Sequence, residues 1–143
     1  SLLMPVHTVR LTVGMKGDTQ IENVTSLVQK AVADSGLRAG IVTLFITHTT
    51  ASVLVIEDEP GIRVDTKTLW DRLIPSDPDW QHNRLNAGET NGHSHLRGQL
   101  QGPSLTIPFT NGSLMLGVWQ QLVVLDFDTR ARRRDLVVQI LGE

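Results

Sequence analysis

The chain has 143 residues, a formal net charge of −2 and neither cysteine nor tyrosine. This length fits one domain with a buried core, and the charge balance gives no support for general nucleic-acid binding. The lack of cysteine excludes disulfides, cysteine-based zinc fingers, iron–sulfur clusters and thiol nucleophiles. A transition-metal site would therefore have to use the five histidines, with carboxylates as the charged partners.

We expect residues 1–143 to form one domain, with residues 1–3 as a cloning remnant before Met4. No apolar run approaches the roughly 20 residues of a membrane helix. The N-terminus also lacks the basic flank and long apolar stretch of a signal peptide. These features predict a cytoplasmic protein with no membrane and no nucleic-acid partner.

The apolar periodicity predicts strands and helices without strict alternation, which favours the α+β class over a Rossmann-type sheet. Residues 21–35 predict an amphipathic helix that stops at Gly36, and Pro60 opens a second helix that runs to about Leu73. Residues 75–94 predict a long functional loop, followed by a short helix. Seven strands are predicted at 7–13, 40–47, 52–56, 105–109, 113–116, 118–127 and 135–141.

Three of the histidines can converge on one point. His48 ends a buried strand, and His82 and His95 belong to the long loop or its edge. Three imidazoles around one cation leave an open position, which is typical of catalytic zinc. A hydrogen-bonded core histidine is the alternative for His48. His93 and His95 would face one side in an extended segment but about 200° apart on a helix.

Carboxylates, hydroxyls and arginines near these histidines suggest further roles, each with a plainer alternative. Glu57 ends the strand that leaves His48 and could be a general base or a partner of an imidazole, or simply a helix N-terminal charge. Asp65 lies on the next helix, where a solvated face is the alternative. Hydroxyls at Thr49 and Thr50 suit an oxyanion or a phosphate. The arginines at 130 and 132–134 suit a phosphate clamp or a solvated turn.

The run from His48 to Ser52, followed by Glu57, Pro60 and Asp65, resembles the YjbQ-like family. Further matches occur at 75, 80–83, 91–95, 102–104, 108, 112, 116–120 and 132–133. The resemblance implies an α+β fold with a mixed, mainly antiparallel sheet curled into a half barrel with two main helices, assembled as a homotrimer. It also implies a secondary thiamine-phosphate synthase activity, which joins hydroxymethylpyrimidine diphosphate to thiazole phosphate and releases pyrophosphate.

The resemblance also implies roles for individual residues. It places a divalent metal, expected to be zinc, at His48, His82 and His95, with magnesium as the ion that would accompany a diphosphate substrate. It places the acidic catalytic positions at Glu57 and Asp65. Contacts to a phosphorylated substrate are expected from Thr49, Thr50, Asn91, His93, Ser94, Trp119, Gln120, Arg132 and Arg133. Two other functions stay open: metal-dependent hydrolysis of a phosphorylated metabolite, and a non-catalytic trimeric protein that binds a metal or metabolite.

Overall fold

Eight strands and four helices follow one another along residues 4–143, which the computed structural model describes. Residues 1–3, the expected cloning remnant, lie outside the described residues. In chain order the elements are β1 (Val6–Met15), β2 (Gln20–Asn23), α1 (Thr25–Ser35), β3 (Gly40–Ile46), β4 (Ala51–Ile56), α2 (Pro60–Leu73), α3 (Gln81–Leu85), α4 (Gly92–Gln101), β5 (Ser104–Thr110), β6 (Ser113–Leu114), β7 (Gln121–Asp126) and β8 (Arg132–Gly142).

The strands form two sheets, and all adjacent strands in the described chain run antiparallel. The larger sheet has the order β1-β8-β3-β5-β6, and the smaller sheet has the order β2-β7-β4. From Arg134 onward, every second side chain of β8 is buried, because alternate residues of a strand face opposite sides. Together the strands curl into a half barrel with four helices, which confirms the expected α+β class.

The apolar core lies between the two sheets and α1. Val42 and Val138 of the larger sheet, Val53 and Val124 of the smaller sheet and Val28 of α1 belong to one buried cluster. Each such side chain stabilises the fold by about 1.5–3 kcal/mol when it leaves water. This packing fixes the strand ends that carry the polar residues described below.

The predicted helix over 21–35 is wrong in its first residues. Gln20–Asn23 form strand β2 and pair with β7, so that helix α1 begins only at Thr25. The backbone of these residues finds hydrogen-bond partners more than 95 residues further along the chain, which local periodicity does not reveal. Gly36 ends α1 in the left-handed conformation, with φ of 72°, as expected.

Helix α2 begins at Pro60 and ends at Leu73, as the sequence predicts. The Glu59 carboxylate caps it by accepting hydrogen bonds from the backbone N–H groups of Gly61 and Ile62. No helix within residues 4–143 is both long and apolar enough to cross a membrane.

The segment 75–94, expected to be a loop, contains α3 and the first residues of α4. The short helix expected after this segment is α4, which has ten residues and begins at Gly92, inside the predicted loop. The predicted strand 118–127 is also shorter and begins at Gln121. Gly117–Gln120 form a turn instead, in which the Gln120 N–H donates to the Gly117 carbonyl. Similarly, the strand expected at 113–116 ends at Leu114.

Candidate functional site

A polar cavity of about 460 Å³ lies where the connection between β3 and β4 faces α3, α4 and the segment before β8. We call this cavity the basin. The side chains able to carry positive charge in its lining are His48, His82, His95, Arg130, Arg132 and Arg134. Other polar lining residues include Thr49, Thr50, Asn91 and Asp128. The structure thus brings together all three histidines that the sequence singles out as metal ligands.

His48 is held at the basin by strand β8. The backbone N–H of Asp135 donates to His48 Nε2 at 2.9 Å. Burial, followed by the nearby charge of Arg134, holds the pKa of His48 below its ordinary value, although the Asp135 carboxylate opposes this. A neutral ring whose Nε2 accepts a hydrogen bond carries its proton on Nδ1. His48 therefore offers a hydrogen-bond donor through Nδ1.

His82 of α3 and His95 of α4 lie against each other. Their ring centroids are 4.4 Å apart, with 49° between the planes. Nε2 of His82 lies 3.1 Å from Oδ1 of Asn91. Burial first, and then the adjacent His82, lowers the pKa of His95. A neutral His95 ring can accept a proton or bind a metal at neutral pH.

Asp128 is a fully buried carboxylate beneath the basin. It accepts hydrogen bonds from Asn91 Nδ2 at 3.3 Å, Thr50 Oγ1 at 3.1 Å and the Thr129 N–H at 2.7 Å, and it lies 2.9 Å from Arg132 Nη2. Burial alone would raise the pKa of this carboxyl. The hydrogen bonds and the Arg132 charge outweigh burial and hold the pKa below its ordinary value. Asp128 is therefore an ionised, acceptor-only group at neutral pH.

Arg134 is fully buried beside the same cavity. Its Nε and Nη2 donate to the two carboxylate oxygens of Asp126 at 2.9 and 2.7 Å, and Nη2 also donates to Thr50 Oγ1 at 2.8 Å. The remaining nitrogen, Nη1, is buried and has no hydrogen-bond partner among residues 4–143. A buried donor without a partner costs about 1–3 kcal/mol, and more when it is charged. An acceptor on a bound molecule would remove this cost.

Two glycines let α4 approach the basin. A Cβ on Gly98 would lie 2.8 Å from the Thr49 carbonyl oxygen, and a Cβ on Gly92 would lie 2.9 Å from the Cβ of Trp80. Side chains at these positions would push α4 away from the β3–β4 connection and from α3. The glycines therefore allow His82 and His95 to share one cavity with His48.

His93 and Ser94 belong to the other side of α4. His93 lines a separate cavity with Asp18, Asp71 and Arg97, and its buried Nδ1 has no hydrogen-bond partner in the part of the chain that the structure describes. The Ser94 hydroxyl is buried and donates to the Phe127 carbonyl. The helical alternative for residues 93–95 is therefore the observed one, and only His95 of the histidine pair faces the basin.

Three predicted site residues lie at the far end of the smaller sheet. Ala51 pairs with Asp126 at the basin end, whereas Ile56 pairs with Gln121 at the opposite end, about 17 Å away at the usual rise of a strand. Glu57 directly follows Ile56, and the exposed Trp119 and Gln120 directly precede Gln121. Within one copy of the chain, these three residues do not line the basin.

Asp65 and Arg133 also lie outside the basin. Asp65 is exposed in the middle of α2. Arg133 is on the opposite face of β8 from Arg132 and Arg134, because neighbouring strand residues point to opposite faces. Of the two arginines that the resemblance implies as contacts to a phosphorylated substrate, the structure therefore places only Arg132 at the basin.

Two largely apolar cavities adjoin the basin and share Thr49 with it. One, of about 550 Å³, is lined by Trp80 and Leu96 together with His82 and His95. The other, of about 480 Å³, is lined by Phe45 and Pro103 together with His48. Apolar cavities next to a polar one suit ligands that combine a ring with a charged group.

The sequence model of the family described as UPF0047 protein YjbQ-like matches residues 9–143. The chain belongs to this YjbQ-like family. A UPF0047 protein of Methanothermobacter thermautotrophicus is 32% identical over 99% of this chain and 96% of its own length. A UPF0047 protein of Synechocystis is 30% identical over 96% of this chain and 92% of its own length.

Solved structures of similar proteins share the fold. A YjbQ-like protein of unknown function from Sulfolobus solfataricus has a TM-score of 0.92 at 28% identity, covering 99% of this chain and 100% of its own. A hypothetical protein from Aeropyrum pernix has a TM-score of 0.88 at 31% identity, covering 96% and 99%.

The histidines of this YjbQ-like chain are not arranged as a ready metal site. Within residues 4–143, no three His, Asp or Glu side chains lie close enough together to hold a metal ion. The hydrogen bond from Asp135 occupies His48 Nε2, and the contact with Asn91 occupies His82 Nε2. Zinc at these three histidines stays a prediction, and its binding would require the rings to exchange these partners.

Asp128 is a site residue that the sequence reasoning did not select, and Arg134 belongs to the predicted arginine cluster but not to the predicted substrate contacts. Arg130, Arg132 and Arg134 all line the basin, and their spacing of two residues is the signal that could have separated them from Arg133. Asp128 follows a buried apolar strand, where an acidic residue needs a partner. The sequence contains both patterns, but it does not show which of these charged residues the fold buries at the basin.

Proposed function

We propose that this YjbQ-like protein is a transferase acting on a diphosphate substrate, with thiamine-phosphate synthase activity as the reaction that the resemblance implies. The observation that carries the proposal is Arg134, a buried guanidinium with an unpartnered Nη1 beside a cavity also lined by Arg130 and Arg132. Fixed cationic donors stabilise the charge that develops on a departing diphosphate. Because these donors are already in position before the reaction, no free energy is spent on reorienting them as the charge develops.

The two apolar cavities next to the basin support a substrate with a ring as well as a diphosphate. Trp80 and Leu96 can contact one ring, and Phe45 and Pro103 can contact another, while Thr49 lies at the junction with the basin. Two rings held beside one diphosphate would be oriented for reaction with each other. Orientation of two reactants accounts for a large part of enzymatic rate acceleration.

The proposed reaction requires the protein to stabilise the charge on the leaving group and to orient the two substrates. The thiazole nitrogen forms a bond to the methylene carbon of the pyrimidine, the carbon–oxygen bond breaks, and pyrophosphate leaves with the electron pair. The basin arginines would receive the charge on the departing pyrophosphate, and the Nδ1–H of His48 would donate to its oxygens. No side chain has to take up a proton in this step.

A metal ion forms a separate part of the proposal. Magnesium would enter with the diphosphate, since it prefers phosphate oxygen ligands. Zinc would use His82 and His95, whose rings lie against each other, and would require His48 to release the Asp135 N–H. Elemental analysis of the purified protein and of His48→Ala, His82→Ala and His95→Ala tests the zinc site directly.

We extend the proposal to a cytoplasmic homotrimer in which a neighbouring copy completes the site. Glu57 and the exposed Trp119 lie at the opposite end of the smaller sheet from the basin, and Val118 beside them is 86% exposed. A second copy would cover this apolar surface and could bring Glu57 or Asp65 to the basin. Light scattering gives the copy number. If Glu57→Ala and Asp65→Ala both leave turnover unchanged, their catalytic assignment is wrong.

The central test is formation of thiamine phosphate from hydroxymethylpyrimidine diphosphate and thiazole phosphate. Turnover is expected for the wild type and for the control Arg10→Ala, an exposed residue of β1, and a loss of about 10-fold or more for Arg132→Ala. Absence of both turnover and pyrophosphate binding would contradict the proposal. Pyrophosphate binding without turnover would favour the non-catalytic alternative.

A further inference from the structure

Arg132 and Arg134 are held at the basin in two different ways. Arg134 is fully buried and donates to both carboxylate oxygens of Asp126, at 2.9 and 2.7 Å. The Arg132 side chain is 38% exposed, and its Nη2 lies 2.9 Å from Oδ2 of Asp128. A guanidinium with two buried hydrogen bonds to one carboxylate is fixed, whereas an ion pair of a partly exposed side chain exchanges more readily. When an anion enters the basin, we therefore expect Arg134 to stay in place and Arg132 to be able to move.

The Asp128 carboxylate keeps other partners when Arg132 moves. Its Oδ1 accepts hydrogen bonds from the Thr129 N–H at 2.7 Å and from Asn91 Nδ2 at 3.3 Å. Its Oδ2 accepts from Thr50 Oγ1 at 3.1 Å. Both oxygens of this fully buried group thus remain hydrogen-bonded without the guanidinium. Asp128 is the fixed member of the pair, and Arg132 is the member that can change partners.

Asp128 and Arg132 both line the basin, so an anion bound there meets both charges. Arg132 can pair with the anion only by giving up Asp128, and the carboxylate also repels the anion directly. We propose that Asp128 competes with a bound diphosphate for Arg132 and thereby limits how tightly the basin holds the pyrophosphate product. Asp128 is a positioning residue that acts through Arg132. This inference rests on the proposed function, because it needs a diphosphate in the basin.

The competition has a use in the proposed transfer reaction. Pyrophosphate carries more negative charge than the diphosphate ester from which it is released, so arginines alone would hold the product more tightly than the substrate. Tight binding of a product does not accelerate the chemical step and slows release. A carboxylate that takes Arg132 back offsets part of this difference. Arg134 stays with Asp126 throughout and keeps the anion-binding position formed.

The first test is calorimetry of inorganic pyrophosphate binding to the wild type and to Asp128→Asn. Asparagine keeps the size of the side chain, and its Oδ1 can still accept from Thr129 and Asn91. We expect Asp128→Asn to bind pyrophosphate about 10-fold or more tightly, whereas a merely structural role would weaken binding. Asp34→Asn removes the same charge from the exposed pair with Lys30 and should match the wild type.

The outcomes separate this inference from the proposed function. Binding by Asp128→Asn that is unchanged or weaker overturns the competition and leaves the diphosphate site standing. No pyrophosphate binding by either protein overturns both. The double variant Asp128→Asn/Arg132→Ala then tests the route through Arg132. Loss of Arg132 should weaken binding more in the Asp128→Asn background than in the wild type, because Arg132 there has no partner to give up. Equal losses in the two backgrounds would overturn this route.

A crystal structure of the wild type with pyrophosphate tests the exchange without any substitution. We expect Arg132 to contact the pyrophosphate and to lie beyond ion-pair distance of Asp128, with the pair of Arg134 and Asp126 unchanged. If Arg132 keeps its 2.9 Å contact with Asp128 while pyrophosphate is bound, the inference is wrong. Circular dichroism shows whether Asp128→Asn folds, and the wild-type complex alone decides if it does not.

Discussion

Arg134 of β8 and Asp126 of β7 form an ion pair in which both side chains are fully buried, and this pair joins the two sheets. Two parallel hydrogen bonds of 2.9 and 2.7 Å connect the groups. Removing Asp126 would leave the buried Arg134 with only the more distant Asp128 carboxylate, 3.8 Å from Nη2, as a charged partner among the described residues. We expect Asp126→Ala to lower the free energy of unfolding by about 3–5 kcal/mol in urea denaturation.

The double variant Asp126→Leu/Arg134→Met shows whether the loss of stability comes from the unpaired charge or from the lost side-chain volume. It removes both charges while it keeps apolar volume, so it should recover most of the lost stability. It should not recover pyrophosphate binding, because the basin then lacks Arg134. Asp34→Ala, in the exposed pair with Lys30, is the matched control and should leave stability unchanged. Equal losses in Asp126→Ala and Asp34→Ala would contradict the role of burial.

The fold was predictable where local periodicity matched the final packing. Residues 40–46 and 60–73 carry patterns that their tertiary environment supports, and both elements form as expected. Gln20–Asn23 fit a helical face but pair with β7, because a distant strand edge offers hydrogen bonds. The sequence predicts a loop at residues 92–94, whereas Gly92 and its neighbours form the start of a helix that packs on Trp80.

The site was predictable where polar residues follow a buried strand. His48, Thr49 and Thr50 end an apolar run, and the structure places all three at the basin. Spacing could not show that β4 carries Glu57 away from His48, because a strand of six residues separates them. Nor could it show that Asp128 is buried beneath the arginines. Charged residues form a buried site only where the fold brings oppositely charged side chains together away from water.

Arg132 and Arg133 provide a direct comparison of two adjacent arginines. Arg132 lines the basin and pairs with Asp128, whereas Arg133 is on the other face of β8. We expect Arg132→Ala to weaken pyrophosphate binding by about 10-fold in calorimetry and Arg133→Ala to leave it close to the wild-type value. A larger loss in Arg133→Ala would show that this residue contacts the ligand from another copy of the chain.

His93 should make the protein less stable in mild acid. Burial, followed by the charge of Arg97, holds the pKa of His93 below its ordinary value. The unfolded chain then binds the proton at about pH 6.5, before the folded protein does. The stability that His93 contributes is therefore fully present above pH 6.5 and is lost as the pH falls toward the lower folded pKa.

We expect His93→Leu to reduce the difference between the free energies of unfolding at pH 7.5 and pH 5.5. The difference should persist in part, because His48 and His95 also have lowered pKa values. At pH 7.5 the variant should be no less stable than the wild type, since it removes a buried nitrogen without a partner. His7→Leu, at an exposed position of β1, should keep the wild-type difference. An unchanged difference in His93→Leu would assign the acid sensitivity to other groups.

A substitution at Gly98 tests whether the basin depends on the close approach of α4 to Thr49. Alanine is favoured over glycine in a helix by about 1 kcal/mol, so an isolated α4 would be stabilised by Gly98→Ala. In the fold, the new Cβ would lie 2.8 Å from the Thr49 carbonyl oxygen, and this backbone atom cannot rotate away. We expect a net loss of about 1–3 kcal/mol in the free energy of unfolding, together with weaker pyrophosphate binding as Thr49 shifts. Gly14→Ala, where a Cβ meets nothing within 4 Å, should leave pyrophosphate binding unchanged. A Gly98→Ala variant more stable than the wild type would show that α4 can move away from Thr49 without cost.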